Sequence, residues 1–136
     1  MLEGRLEQPV LIANALDCSN RARTLVLDRQ DDDPTRHTLV TPLRYLGSSR
    51  ASAQAITLAR VEIQRGARHQ IRAHLASAGF PLWGDPVYNP GSIIGITGGG
   101  QLYLHHAGIL FPGFSAATLP EWQWEGERLI LETGDP

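Results

Sequence analysis

The residues best suited to chemistry lie together at positions 65–74, where the sequence reads RGARHQIRAH. These ten positions hold three arginines, two histidines and one glutamine. A guanidinium presents a planar fork of donors that matches phosphate, and a glutamine amide can both donate to and accept from a base edge. The segment therefore predicts contact with nucleic acid, and the five candidate residues are Arg65, Arg68, His69, Gln70 and Arg72.

Charge is distributed unevenly along the chain. All twelve basic residues are arginine, and the formal net charge is −2. The absence of lysine fits a base-composition bias as well as a nucleic-acid partner, so local clustering is the better evidence. Four arginines fall between positions 60 and 72, whereas three acidic residues collect at 31–33. A basic face is therefore expected on a weakly acidic protein.

One helix is predicted over residues 68–78. Its apolar residues recur at i, i+4 and i+7, and a glycine and then a proline follow its end. In such a helix Arg68 and Arg72 are neighbours on one face, because they are four residues apart. His69 and Gln70 then belong to the first turn, where backbone N–H groups lack helical partners.

Alternating apolar and polar residues predict about five strands. These strands are placed at residues 23–28, 39–45, 57–63, 101–111 and 128–132. A chain of 136 residues is large enough for one continuous core. We therefore expect a single α+β domain over residues 1–136, with a mainly antiparallel or mixed sheet and one prominent helix.

Glycine and proline mark the connections. WGDPVYNPG, residues 83–91, predicts consecutive turns, and Asp85 in it is expected to cap its own backbone rather than to react. GSIIGITGGG, residues 91–100, is predicted to be a mobile loop, and residues 28–36 an exposed acidic turn.

Composition excludes several classes of protein. No apolar run approaches the roughly 18 residues of a membrane span, and the first ten residues lack the order of a signal peptide, so we expect a cytoplasmic protein. Cys18 is the single cysteine, which leaves no internal disulfide and no thiolate zinc cluster. The histidines lack metal-ligand spacing, so no metal site is expected.

Three segments, RGARHQIRAHL, GFPLWGDPVY and LYLHHAGILFP, follow one another in the second half of the chain. Their order resembles the C-terminal half of the catalytic domain of RluA-type RNA pseudouridine synthases. The family motif is roughly G-R-T-H-Q-I-R-x-H-L, then G-x-P-(L/I)-x-G-D-x-x-Y, then L-H-A before a strand. The matching residues are Gly66, His69, Gln70, Ile71, Arg72, His74, Leu75, Gly79, Pro81, Gly84, Asp85, Tyr88, Leu104 and His105. Ala67 and Arg68 depart from the motif, so the family's RNA contact cannot be assumed for Arg68.

The resemblance implies isomerisation of uridine to pseudouridine in ribosomal or transfer RNA, without metal or cofactor. In the family this reaction needs an aspartate in an H-R-L-D-x-x-T-S-G motif and a tyrosine that stacks on the target base. Neither occurs in this sequence, in which Asp17 and Asp28 lie outside any such motif. By alignment Arg72 matches the arginine that pairs with the missing aspartate. We expect the chain to be inactive alone, and Arg72 to be exposed or neutralised by a bound anion or another carboxylate.

Several interpretations stay open. Arg65 and Arg68 also fit plain surface charge, and His69 fits a structural role at the turn. The whole chain fits a fragment or split piece of an enzyme, or a shortened relative that has lost catalysis. Two further readings are a non-catalytic RNA-binding module and a protein-interaction subunit, whose exposed sheet edge pairs with a second copy or with a complementing N-terminal half.

Overall fold

The computed structural model describes residues 1–49, 52–93, 102–124 and 127–128. The chain forms two compact units, Met1–Tyr103 and Leu104–Pro136. The expectation of one domain over residues 1–136 stays a prediction. In the described part of the chain, no helix has the length and apolar character needed to cross a membrane.

The first unit is mostly antiparallel sheet with one α-helix, which confirms the predicted fold class. Its elements are β1 (Leu2–Glu3), β2 (Val10–Ile12), β3 (Asn14–Asp17), β4 (Leu25–Gln30), a 3-10 turn (Pro34–Arg36), β5 (Thr38–Ser49), β6 (Ser52–Ile63), α1 (Gln70–Ser77) and a second 3-10 turn (Pro90–Ile93). Four strands form one sheet in the order β1-β6-β5-β2, and β3 pairs with β4 separately. The short strands β1 to β3 were not predicted, because two to four residues show no clear alternation.

Strands β5 and β6 form the long antiparallel pair at the centre of the larger sheet. Val40 pairs with Val61, and Leu39 pairs with Glu62. Val40 is fully buried while Leu39 is exposed, as the alternation of side chains along a strand requires. The register shifts next to Pro42, which cannot donate a ladder hydrogen bond.

Helix α1 begins two residues later than predicted, since His69 adopts a left-handed conformation (φ 56°) at its N-terminal boundary. The helix ends at Ser77, one residue before the predicted end. Gly79, which was expected to stop it, has a φ of 88°, and this suits a residue without a side chain. The Gly79 N–H donates to the Ala76 carbonyl and the Phe80 N–H donates to the Leu75 carbonyl. This is the Schellman motif, which gives hydrogen-bond donors to the last carbonyls of a helix.

The core joins the helix to the sheet. It consists of the buried residues Leu2, Leu6, Ile12, Val40, Leu75 and Leu82. Strand β1 lies between β6 and residues 81–83, because Glu3 donates to Pro81 and Trp83 donates to Met1. This second pairing folds the 83–88 turn back against the start of α1.

The described residues of the second unit form two short antiparallel pairs. Strand β7 (Gly108–Phe111) pairs with β8 (Phe114–Ala117), and β9 (Gln123–Trp124) pairs with β10 (Glu127–Arg128). The strand predicted at 101–111 was therefore too long. Residues 102–107 are not in a strand, and the N–H of Tyr103, the last residue of the first unit, instead donates to the Trp83 carbonyl. Most of the predicted 128–132 strand and of the 91–100 loop lies outside the described residues.

Candidate functional site

Arg72, in the 65–74 segment, is held by a carboxylate of the same chain. Its Nε donates to Oδ2 of Asp85 at 2.9 Å, and its Nη2 donates to Oδ1 at 2.7 Å. This two-point geometry is the strong form of an arginine–carboxylate pair. The Arg72 side chain is 16% exposed and that of Asp85 is 0% exposed. The expectation that a carboxylate neutralises Arg72 is therefore confirmed.

Asp85 also organises the turn that follows it. Its Oδ1 accepts hydrogen bonds from the backbone N–H groups of Val87 and Tyr88, so the prediction that Asp85 caps its own backbone is confirmed. Burial is the largest single influence on the pKa of Asp85 and raises it. The hydrogen bonds from Arg72 and the two amides, with the charge of Arg72, outweigh burial and hold that pKa below its ordinary value. The hydrogen bond to Asp85 in turn raises the pKa of Arg72.

This geometry makes Asp85 an anchor for Arg72 and unsuited to attack a nucleotide. The carboxylate is fully buried, and three donors converge on Oδ1 alone. Arg72 has five N–H donors and gives two of them to the described residues, both to Asp85. The site therefore presents a fixed guanidinium with unused donors, which suits a second carboxylate or a phosphate.

Tyr88 connects three segments around this pair. Its phenol oxygen accepts from the Thr24 N–H at 2.7 Å and lies 3.0 Å from Nδ1 of His69. The guanidinium carbons of Arg23 and Arg72 lie 4.9 and 5.2 Å from the centre of its ring. Such cation–π contacts add to hydrogen bonding in fixing arginine side chains. The 18–24 loop, the start of α1 and the 83–88 turn are thus joined at one side chain.

His69 occupies a strained position beside Tyr88. Among the described residues it is the one non-glycine with positive φ, a conformation that costs about 1 kcal/mol or more. The phenol oxygen accepts from the Thr24 N–H, and its own hydrogen can be donated to Nδ1 in the tautomer that carries the ring proton on Nε2. Burial first, and then the charge of Arg72, lower the pKa of His69. His69 is therefore a neutral hydrogen-bond donor near pH 7.

Gln70 and His74 are used inside the protein. Gln70 is 2% exposed, and its amide accepts from the Ala67 N–H and donates to the Arg36 carbonyl. His74 is fully buried and bridges the Thr38 hydroxyl and the Asn14 carbonyl. Both ring nitrogens of His74 are therefore used inside the protein. The Gln70 amide faces no solvent from which a base could approach.

The two candidate arginines that flank the helix start lie in different surroundings. Arg65 is 3.3 Å from Asp33, in a cluster of charges at the 3-10 turn after β4. Arg68 instead contacts the carbonyls of Cys18 and Asn20 at 3.4 and 3.5 Å. Sequence reasoning missed Arg23, which donates to the Val87 carbonyl at 2.8 Å. The pair of arginines in RART, residues 21–24, was the available signal.

Two surface grooves lie apart from this arrangement. Two open grooves of about 370 and 460 Å³ are lined by residues of β2, β3 and β4, and both include Leu11, Asn14 and Asp28. Neither is lined by Arg72, Asp85 or Tyr88. Within the described ranges, no group of three histidine, cysteine, aspartate or glutamate side chains is placed to hold a metal ion.

Comparison with known proteins finds several RNA pseudouridine synthases that are similar to this chain. The uncharacterized RNA pseudouridine synthase slr1592 of Synechocystis sp. is 46% identical over 52 residues, which are 38% of this chain and 18% of that protein. Ribosomal large subunit pseudouridine synthase D of Nitrosomonas europaea is 36% identical over 85 residues, 62% of this chain and 22% of that protein. RNA pseudouridine synthase 5 of Arabidopsis thaliana is 60% identical over 35 residues, 26% of this chain and 10% of that protein.

The chain is related to the RluA-type RNA pseudouridine synthases. A solved structure agrees in fold: human RNA Pseudouridylate Synthase Domain Containing 1 superposes on 99% of this chain with a TM-score of 0.57 and 19% identity. The chain spans 52% of that structure, and its aligned part spans about a fifth of the Synechocystis and Nitrosomonas synthases. No family model matches the chain.

Proposed function

We propose that this chain supplies the C-terminal half of an RNA pseudouridine synthase catalytic domain, with residues 1–136 as a single domain. The proposed reaction is the isomerisation of uridine in ribosomal or transfer RNA in the cytoplasm. The N1–C1′ bond breaks, the uracil turns over, and C5 bonds to C1′, without a cofactor. The observation that carries the proposal is the fixed guanidinium of Arg72, which lies within the family motif and keeps unused donors.

In the proposed complete site, an aspartate from a complementing half approaches the unused donors of Arg72. A guanidinium next to that carboxylate lowers its pKa and keeps it ionised. Asp85 holds Arg72 in place beforehand, so the incoming carboxylate meets a positioned partner. Among the described residues Asp85 is the single carboxylate bonded to Arg72, and it is buried. The chain alone is therefore expected to be inactive.

The proposed RNA contacts involve fewer residues than the sequence predicts. Arg68, His69 and Arg72 remain candidates, because each has a donor that is not fully used by the protein. Gln70 is left out because its amide is buried and bonded. Arg65 is left out because Asp33 neutralises its charge.

Tritium release from RNA that carries 5-tritiated uridine tests the proposal. We expect no release by this chain alone, and release when a separately expressed N-terminal half of the Synechocystis synthase is added. Arg72→Gln should abolish the restored activity. Gly91→Ala is the matched control, since a side chain there meets open space. Turnover by the chain alone would refute the inactivity, and turnover by Arg72→Gln with the added half would refute the role of Arg72.

A non-catalytic RNA-binding module is the second candidate. It is favoured by the exposed arginines near Tyr88 that have no carboxylate partner in the described chain. This reading predicts salt-dependent RNA binding without restored turnover in the presence of any complementing half.

A protein-interaction subunit is the third candidate, because β2 is an edge strand of the larger sheet. Leu11 on β2 is 61% exposed and lies opposite Leu39, which is 37% exposed. An exposed edge with apolar side chains suits pairing with a second copy or a complementing half. Light scattering over a range of concentrations should then show association that Leu11→Glu reduces and Leu25→Glu, on β4, does not.

A further inference from the structure

The arginines that the structure describes separate into two groups by their charge partners. Those with a carboxylate within 4.0 Å are Arg5, Arg36, Arg60, Arg65 and Arg72. Within the described ranges, no carboxylate lies that close to Arg21, Arg23 or Arg68, and all three are exposed. Arg29 on β4 and Arg44 on β5 also lack such a partner among the described residues. Position in the sequence therefore does not predict where positive charge is uncompensated.

The structure bonds Arg68 to the 18–24 loop, which carries Arg21 and Arg23. The Arg68 guanidinium contacts the carbonyls of Cys18 and Asn20, and the Arg68 carbonyl accepts from the Thr24 hydroxyl at 2.7 Å. The loop is thus bonded to both the side chain and the backbone of Arg68. Arg21 follows Asn20 directly, and Arg23 precedes Thr24. We call Arg21, Arg23 and Arg68 the arginine cluster.

In the described residues no carboxylate forms an ion pair with the cluster. Asp85 is paired with Arg72. Asp17 accepts from the Ser19 N–H at 2.9 Å and keeps its negative charge, but it is not within 4.0 Å of any of the three arginines. His69 is neutral near pH 7, since burial and Arg72 lower its pKa. Among the described residues, the carbonyls that hold Arg23 and Arg68 engage only Nη1, so Nε and Nη2 of both side chains stay available to a ligand.

We infer that the arginine cluster binds backbone phosphates of the RNA, and that Arg65 does not. This inference rests on the proposed function and adds to it the residues that contact the backbone. Phosphate is favoured because guanidinium forks bind its oxygens in pairs, and because three like charges without a partner gain most from a polyanion. Arg23 and Arg68 are held by hydrogen bonds before RNA arrives, so they meet the backbone with little loss of side-chain freedom.

Fluorescence anisotropy with a labelled single-stranded RNA, titrated at several salt concentrations, tests the inference. Each phosphate contact contributes about −0.7 to the slope of log affinity against log salt. Arg23→Gln and Arg68→Gln should each lower the magnitude of the slope by about that amount, and weaken binding about fivefold at roughly 0.1 M salt if the contact vanishes near 1 M. Arg65→Gln should match the wild type in both quantities.

Arg21→Gln is a second probe, because Arg21 makes no hydrogen bond or ion pair in the described structure and its loss leaves the fold intact. It should also lower the slope. If Arg65→Gln weakens binding as much as Arg68→Gln, or if the three cluster variants leave the slope unchanged, the inference is wrong while RNA binding stands. If the wild-type chain binds no RNA, both the inference and the proposed RNA contact fail.

Discussion

The Arg72–Asp85 pair should be strongly coupled in stability. Removing one partner from a buried ion pair typically costs about 3–5 kcal/mol, because the other charge is left without compensation. Arg72 keeps 16% exposure, so Asp85→Asn should cost about 3 kcal/mol, at the low end of that range. Arg72→Gln leaves a fully buried carboxylate with two amide donors, and should cost about 3–4 kcal/mol.

The double variant tests this reasoning. With both charges absent no buried ion is stranded, so Arg72→Gln/Asp85→Asn should cost little more than either single change, about 3–4 kcal/mol. The coupling energy is then about 3 kcal/mol, against about 0.5 kcal/mol or less for independent sites. Urea denaturation followed by tryptophan fluorescence measures all four proteins. Additive single changes would show that the pair contributes little and that Asp85 does not hold Arg72.

The decrease of the free energy of unfolding at acid pH, called the acid limb below, gives a separate check on the same pair. The pKa of Asp85 lies below 3.8 in the folded chain, so its contribution is complete above about pH 3.8 and is lost as the pH falls toward the folded value. In Arg72→Gln burial dominates, and burial raises the pKa of a carboxyl group. The loss of stability should then begin at higher pH than in the wild type. An unchanged acid limb would contradict the assignment.

Three further outcomes are expected. Burial, the largest cause, lowers the pKa of His74 below 6.5, so the free energy of unfolding should fall as the pH drops below about 6.5. His74→Gln should lack this pH dependence. If the pH dependence persists in that variant, a different group titrates. Gly79→Ala should cost about 1 kcal/mol because φ is positive. Gly91→Ala should stay within about 0.5 kcal/mol of the wild type, and equal costs at the two glycines would refute this explanation. Tyr88→Phe removes two hydrogen bonds and should lower the free energy of unfolding, measured by calorimetry, by about 1–3 kcal/mol. An unchanged free energy of unfolding would show that the hydroxyl does not hold the site together.

Periodicity was sufficient for the long elements of the fold. Strands β5 and β6 and helix α1 follow from the alternation and the i, i+4, i+7 pattern, because each has enough residues to show a period. The start of the helix was misplaced since a left-handed His69 ends the preceding loop. Periodicity carries no information on such a conformation, which depends on contact with the distant Tyr88.

The site was predictable only in part. Arg72 and the capping role of Asp85 could be taken from the motif and from turn chemistry. Their pairing could not, because 13 residues separate them and the turn is folded back by the pairing of β1 with residues 81–83. The same limit applies to the arginines: Arg65 and Arg68 are three positions apart, yet one faces Asp33 and the other faces the 18–24 loop.

Three segments of the chain are anchored at the phenol of Tyr88. This shared anchor affects which nucleic acids the arginines around Tyr88 could distinguish. Side chains that share one rigid support cannot adjust their separations independently. If they contact a backbone, they favour the strand whose phosphate spacing already fits, and discriminate by the geometry of the sugar–phosphate chain rather than by base sequence. A phenylalanine at this position would then loosen discrimination between helical and extended strands before it weakened average affinity.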